Sequence, residues 1–203
     1  MSLEVSTMVA NANASSVVGA KLPSQKGVGF VNVRSYVETK HGPEKWNEVL
    51  ARLSESDRDV VASAVAVGWY EVRLFSRFLR AVDAVCGRGD LRLMGEVGAW
   101  EAEQDFNRVL RVFLKILTPP QVFKAEARLW KHFQDSGRWV MTPVDGGMNG
   151  ELVDWEVDDA LCQELSGYLV RLIQYTGGKD VVVRHGQCRA RGAKTCLFEY
   201  RWK

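Results

Sequence analysis

The sequence predicts an α+β chain in which an N-terminal helical part packs on a small antiparallel sheet of two hairpins joined by a helix. Three observations predict it. Apolar residues recur at helical spacing from Phe30 to Phe133, with glycine and proline between the runs. Arg138 to Val144 and Met148 to Trp155 flank Asp145-Gly146-Gly147, whose chemistry suits a hairpin turn. Val181 to Val183 and Thr195 to Trp202 then form a second strand pair around Arg191-Gly192-Ala193. An antiparallel sheet of this kind commonly buries one face and leaves the other solvated.

Residues 1–26 are rich in Ser, Ala, Asn and Val without a period and carry Pro23, so a mobile arm is expected there, with 27–203 as a single domain. Gly27-Val28-Gly29 precedes a helix but follows no recognisable strand, which makes it a turn rather than a dinucleotide fingerprint. Phe30, Val33 and Val37 define the first helix, stopped at His41-Gly42. Pro43 opens the second at its first position, with Trp46, Val49, Leu50 and Leu53 on one face. Ser54 caps the third, with Asp57 three residues on.

A longer helix is expected from Trp69 to Cys86, carrying Val72, Phe75, Leu79, Val82 and Val85 and ending at Gly87. Asp90 caps a helix from Leu91 to about Phe106, and Val109 to Leu117 predicts another before Pro119-Pro120. Val122, Phe123, Ala127, Trp130 and Phe133 mark the next. Asp158 or Asp159 opens the last, through Leu161, Leu165, Leu169 and Ile173 to Gly177-Gly178.

At 203 residues and 46% hydrophobic the chain can bury a full core. A net charge of +2 gives no reason to expect nucleic acid as a partner, and the basic residues of the last hairpin read as a solvated edge. No run approaches the roughly 18 apolar residues of a membrane span, and the start lacks the features of a secretory signal. A cytoplasmic protein is expected, in which cysteines serve as thiols or metal ligands more often than as disulfides.

The C-terminal segment concentrates soft-metal chemistry. With the turn centred on Gly192, Cys188 lies opposite Cys196, so the two thiols are expected to be neighbours. Strand alternation turns His185 to the other face unless Gly186 marks a bulge that re-aims it. Cys162, on the preceding helix, is within reach if that helix packs on the sheet. Cys162, His185, Cys188 and Cys196 are a chemically sensible set for a structural zinc, which takes four sulfur or nitrogen ligands. The competing readings are an unoccupied thiol cluster and a Cys188 to Cys196 disulfide. Cys86, beside Gly87, reads as a core residue.

Gly167-Tyr168 on a helix, followed by a strand and His-x2-Cys-x-Ala-x-Gly-x3-Cys-x-Phe, resembles the four-vinyl reductase domain family. That family belongs to a superfamily with the heme–nitric-oxide-binding sensors and the phenol-sensing regulator domains. Gly27-Val28-Gly29-Phe30 and His41-Gly42-Pro43-Glu44-Lys45-Trp46 resemble the start of the nitric-oxide sensor domain. In phenol-sensing relatives a structural zinc is held by a helix cysteine, an acidic strand residue and two hairpin cysteines. The resemblance places those ligands at Cys162, His185, Cys188 and Cys196, with His185 replacing the acidic residue.

The resemblance also implies a small hydrophobic ligand held between helices and sheet, and Trp69, Tyr70, Trp100, Phe113, Trp130 and Trp139 are candidate walls. The bland alternative is that these aromatics simply fill the core. Heme is the superfamily's other ligand, but the region 106–122 contains no histidine and the tyrosine-serine-arginine motif is missing, so the sequence argues against heme. No nucleophile, phosphate-loop or metalloprotease signature points to an enzyme.

The function expected is a non-enzymatic sensor domain, a homodimer that signals through a protein partner. The alternative is a dimeric interaction scaffold resembling vesicle-tethering subunits, with no small-molecule ligand.

Overall fold

The computed structural model describes residues 21–106 and 114–203. Phe113 and most of the helix expected over Val109 to Leu117 lie outside them. The first strand, β1 (Ser24–Lys26), pairs antiparallel with β2 (Trp69–Glu71). Both departures from the sequence reading have one cause. Ser24 to Lys26 fall in the stretch expected to be an arm, and Trp69 to Glu71 in the expected helix, because pairing across more than forty residues leaves no local periodicity to read.

The N-terminal helices follow their punctuation. Helix α1 (Val28–His41) ends where Gly42 takes a φ of 92°, and Pro43 starts α2 (Pro43–Arg52). Ser54 caps α3 (Glu55–Ser63) by accepting the Asp57 amide at 3.2 Å. Helix α4 (Val72–Cys86) buries Val72, Phe75, Phe78, Leu79 and Val82 against Phe30 and Trp46. Helix α5 (Leu93–Asp105) begins two residues later than expected, since Leu91 takes a positive φ and Asp90 accepts the Arg92 amide.

Helix α6 (Pro119–Phe133) opens with a Thr118 and Gln121 capping box. Strands β3 (Arg138–Val144) and β4 (Gly147–Val153) form the first hairpin, and Asp158 caps α7 (Asp159–Tyr175) through the Ala160 and Leu161 amides. Strands β5 (Val182–Gln187) and β6 (Cys196–Arg201) close the chain. The four strands run antiparallel in the order β3-β4-β6-β5, so the two hairpins join through β4 and β6. The α+β architecture matches the sequence reading.

Helices α5 and α7 cross unusually closely. A Cβ on Gly98 would collide with the Glu164 backbone carbonyl, and one on Gly167 with the carbonyl of Gly95. Two hydrogens in place of side chains, at Gly98 and Gly167, let the backbones meet. One hydrophobic core runs from Phe30 to Tyr200 through both halves. No described helix is long and apolar enough to cross a membrane.

Candidate metal centre and interior pocket

Four elements deliver the thiol and imidazole groups to one point. Cys162 sits in the first turn of α7, His185 on β5, Cys188 just beyond that strand, and Cys196 at the start of β6. The strand register shifts between His185 and Gln187, so Gly186 is the bulge that alternation required to bring His185 round. A 3-10 turn over Arg189–Arg191 follows, closed by Gly192 at φ 89°. Cys188 is therefore not a paired strand residue opposite Cys196. It heads the turn, and its carbonyl accepts the Arg191 and Ala193 amides.

The four ligand atoms all lie within 4.8 Å of one another, and the cysteines are almost completely buried. The Cys162 sulfur is 3.8 Å from both the Cys188 and the Cys196 sulfur, and all four cysteines of the chain are free thiols. Two sulfurs each about 2.3 Å from a zinc ion at the tetrahedral angle would themselves be about 3.8 Å apart. The spacing suits a metal as well as the donor types do.

The electrostatics single out one thiolate. Hydrogen bonding from the Cys162 thiol, reinforced by His185 and the Arg189 amide 3.4 Å away, pulls the Cys196 thiol down to about 4 against the effect of burial. Cys162 is pushed up by donating that bond, and Cys188 chiefly by burial. His185 stacks on Phe198 at 4.6 Å, and its Nε2 is buried without a hydrogen-bond partner. An imidazole gathered with three sulfurs offers a nitrogen as a fourth ligand.

A second site lies deeper. A cavity of about 360 Å³ opens between β1, α1, α5, α6 and α7. Of the six aromatics expected to line a pocket, Trp130 alone among the described ones does so. Trp69 is exposed under the Lys26 ammonium, because β2 is an edge strand. Tyr70 packs on Phe30 and accepts the Val65 amide, and Trp139 stands edge-on to Phe198 in the core. Trp100 borders a separate outer cleft with Tyr36 and Lys40.

Four acids are set into the cavity's largely apolar lining. Glu101 and Asp105 come from α5, Glu126 from α6, and Glu164 and Tyr168 from α7, facing Phe75, Phe106, Phe133 and Trp155. The close crossing at Gly98 and Gly167 is what brings Glu101 and Glu164 together, since each carboxyl lies three residues from its helix's glycine. Asp105 accepts from Asn32 Nδ2 at 2.9 Å and from the Tyr168 hydroxyl at 3.0 Å. Burial raises all four carboxyls, Glu126 and Glu164 to about 7 and Glu101 well above the carboxylate range, where the Glu164 charge adds to the effect. Glu101 donates a hydrogen bond to Glu164, and its Oε2 accepts from no donor.

No family model and no curated protein matches this sequence, so the four-vinyl reductase resemblance rests on its own motif. Solved structures do match. An H-NOX protein from S. oneidensis in the Fe(II)NO ligation state superimposes with a TM-score of 0.68 at 16% identity, over 88% of this chain and 99% of that one. An unliganded Fe(II) H-NOX protein from K. algicida gives 0.63 at 12%, over 88% and 96%. An H-NOX from Shewanella woodyi in the Fe(II)CO state gives 0.63 at 11%, over 86% and 93%. The chain has the H-NOX fold. The sequence argument against heme is thereby overturned, because it turned on a helix histidine and one motif, whereas the whole fold is that of proteins solved with Fe(II) and gas ligands.

Proposed function

We propose that this chain is a non-enzymatic sensor domain of the H-NOX fold, in which the interior cavity binds a small molecule and the Cys3His quartet holds a structural zinc ion. The observation that carries the reading is the cavity between the helical part and α7, open on the side of Leu129 and Phe133, in a fold shared with an H-NOX protein solved in the Fe(II)NO ligation state. Zinc would be held by Cys162, His185, Cys188 and Cys196, four protein ligands that leave no open position for substrate. Its work would be to staple α7 to the last hairpin. Residues 27–203, completed by β1, form the sensing domain, and a homodimer acting on a protein partner in the cytoplasm would give its output.

The interaction-scaffold alternative does not require a cavity, and the presence of one favours the sensor. A second reading puts heme in that cavity, as the Fe(II)-bearing structures of this fold suggest. Among the described lining residues the donors suited to iron are oxygens, the Tyr168 phenol and the carboxyls of Glu101, Asp105, Glu126 and Glu164. A phenol oxygen is an axial ligand that heme iron accepts. Bound heme would supply gas binding at iron.

Elemental analysis and native mass spectrometry of untagged protein, followed by hemin titration, test these readings together. About one zinc per chain and a co-purified small molecule are expected. A Soret band that saturates at one hemin per chain selects heme. Metal-free protein with an empty cavity that takes up no hemin hands the case to the scaffold.

A further inference from the structure

We propose that the interior cavity selects a small organic cation, a protonated amine on an apolar or aromatic body, whose ammonium group pairs with Glu101. This rests on reading the chain as a small-molecule sensor and names the class of ligand. Glu101 is 4% exposed, lines the cavity and donates a hydrogen bond to Glu164, while its Oε2 accepts from no donor and neither acid has a basic partner among the described residues. A buried carboxyl oxygen left unpaired is costly, and a donor arriving with the ligand removes the cost.

The other charged groups around the cavity sharpen the assignment. Asp105 is already satisfied by Asn32 and Tyr168. Glu126 faces the cavity from α6 with no hydrogen bond of its own among the described contacts, and supplies a second carboxyl. Lys26, the one basic residue in the described lining, is turned outward, with Nζ bonded to the Val67 carbonyl at 2.9 Å and lying 4.6 Å from the Trp69 ring. It does not neutralise the acids.

Competing ligand classes fit less well. A neutral apolar molecule would leave the Glu101–Glu164 pair without a counter-charge, and an anion would meet only carboxyls. A bare metal ion needs donors drawn into one coordination sphere. The only quartet that tight among the described residues is Cys162, His185, Cys188 and Cys196, not the carboxyls. Carboxyls spread around a cavity with Phe75, Phe133 and Trp130 in its walls match an extended cation, which gains from aromatic faces along its length.

Calorimetric titration of the full chain with 2-phenylethylamine and its neutral counterpart 2-phenylethanol tests this. The amine is expected to bind at least tenfold tighter than the alcohol, and Glu101→Gln to erase that preference. Glu126→Gln, the milder variant, is expected to reduce it severalfold, and it serves if Glu101→Gln does not fold. Equal or tighter binding of the alcohol overturns the cation assignment and leaves the sensor reading standing. Failure of both compounds, with a cavity that takes no hemin, overturns both.

Discussion

Gly98 on α5 lies directly against the Glu164 carbonyl on α7, and Gly167 returns the relationship at Gly95. Neither neighbour is the free end of a flexible side chain, so a methyl group at position 98 has to push two backbones apart. Gly98→Ala is expected to destabilise the protein by about 3 kcal/mol, at the upper end of overpacking costs. Gly89→Ala, where nothing lies within 4 Å but φ is 76°, should cost only about 1 kcal/mol. Urea midpoints of the two variants decide it, and equal midpoints would refute the close crossing.

The proposed zinc makes the cysteines unequal. Cys188→Ser is expected to lower Tm by roughly 10 °C, as loss of about 3–5 kcal/mol would in a chain of this size. Cys86, half-buried and outside the quartet, should lose little when changed to Ser. Matching melting curves for the two variants would exclude a stabilising metal. In the parent protein, Cys162, Cys188 and Cys196 should react with a thiol reagent only after chelation, and Cys86 at the same rate before and after.

Glu126 gives the ligand-free protein a pH signature. Its carboxyl sits near 7 in the fold against 4.5 for its ordinary value, so between these the folded state binds more protons than the unfolded. Stability must then fall as pH rises through that window, by on the order of 3 kcal/mol from this group before screening by cavity water. The Asp105 charge on α5 pushes the same way; Glu101, Glu164 and the Tyr168 phenol also line the cavity, while Lys26 points outward. Glu126→Gln should flatten the decline measured by urea unfolding at pH 5 and pH 8. A slope identical to that of the parent protein would show that this carboxyl titrates normally.

Amine binding should also depend on the aromatic wall. Phe133→Leu keeps an apolar surface and removes a π face, so affinity for 2-phenylethylamine should drop about threefold to tenfold. Calorimetry on that variant, with 2-phenylethanol as the control, separates loss of the face from loss of volume. A parallel drop for the alcohol would point to packing alone.

The punctuation of the chain was legible because it acts locally. Ser54 and Asp158 cap the helices they were expected to cap, Gly42 and Pro43 separate α1 from α2, and β3 spans the expected residues. The Cys3His gathering was also within reach, since Gly186 could be seen as a possible bulge. Trp69 to Glu71 was misread because its partner strand is remote in sequence. The cavity was missed for a different reason. Glu101, Glu126 and Glu164 on helices look like solvated positions, and aromatic content drew attention to Trp69, Tyr70, Trp100 and Trp139 instead. The signal that could have found it is the shared three-residue spacing of Gly98 from Glu101 and of Glu164 from Gly167.

Helix α7 carries Cys162 in its first turn and Glu164 and Tyr168 within the next two, an axial rise of roughly 9 Å from Cys162 to Tyr168. One rigid rod thus ends in the metal quartet and walls the cavity. If that quartet holds an ion, cavity occupancy and metal retention are two readings of the same helix position, and linkage requires each to change the other's affinity by an equal factor. A ligand that draws α7 inward would make the protein slower to surrender its zinc to a chelator, so metal loss could report the signal without any probe in the pocket.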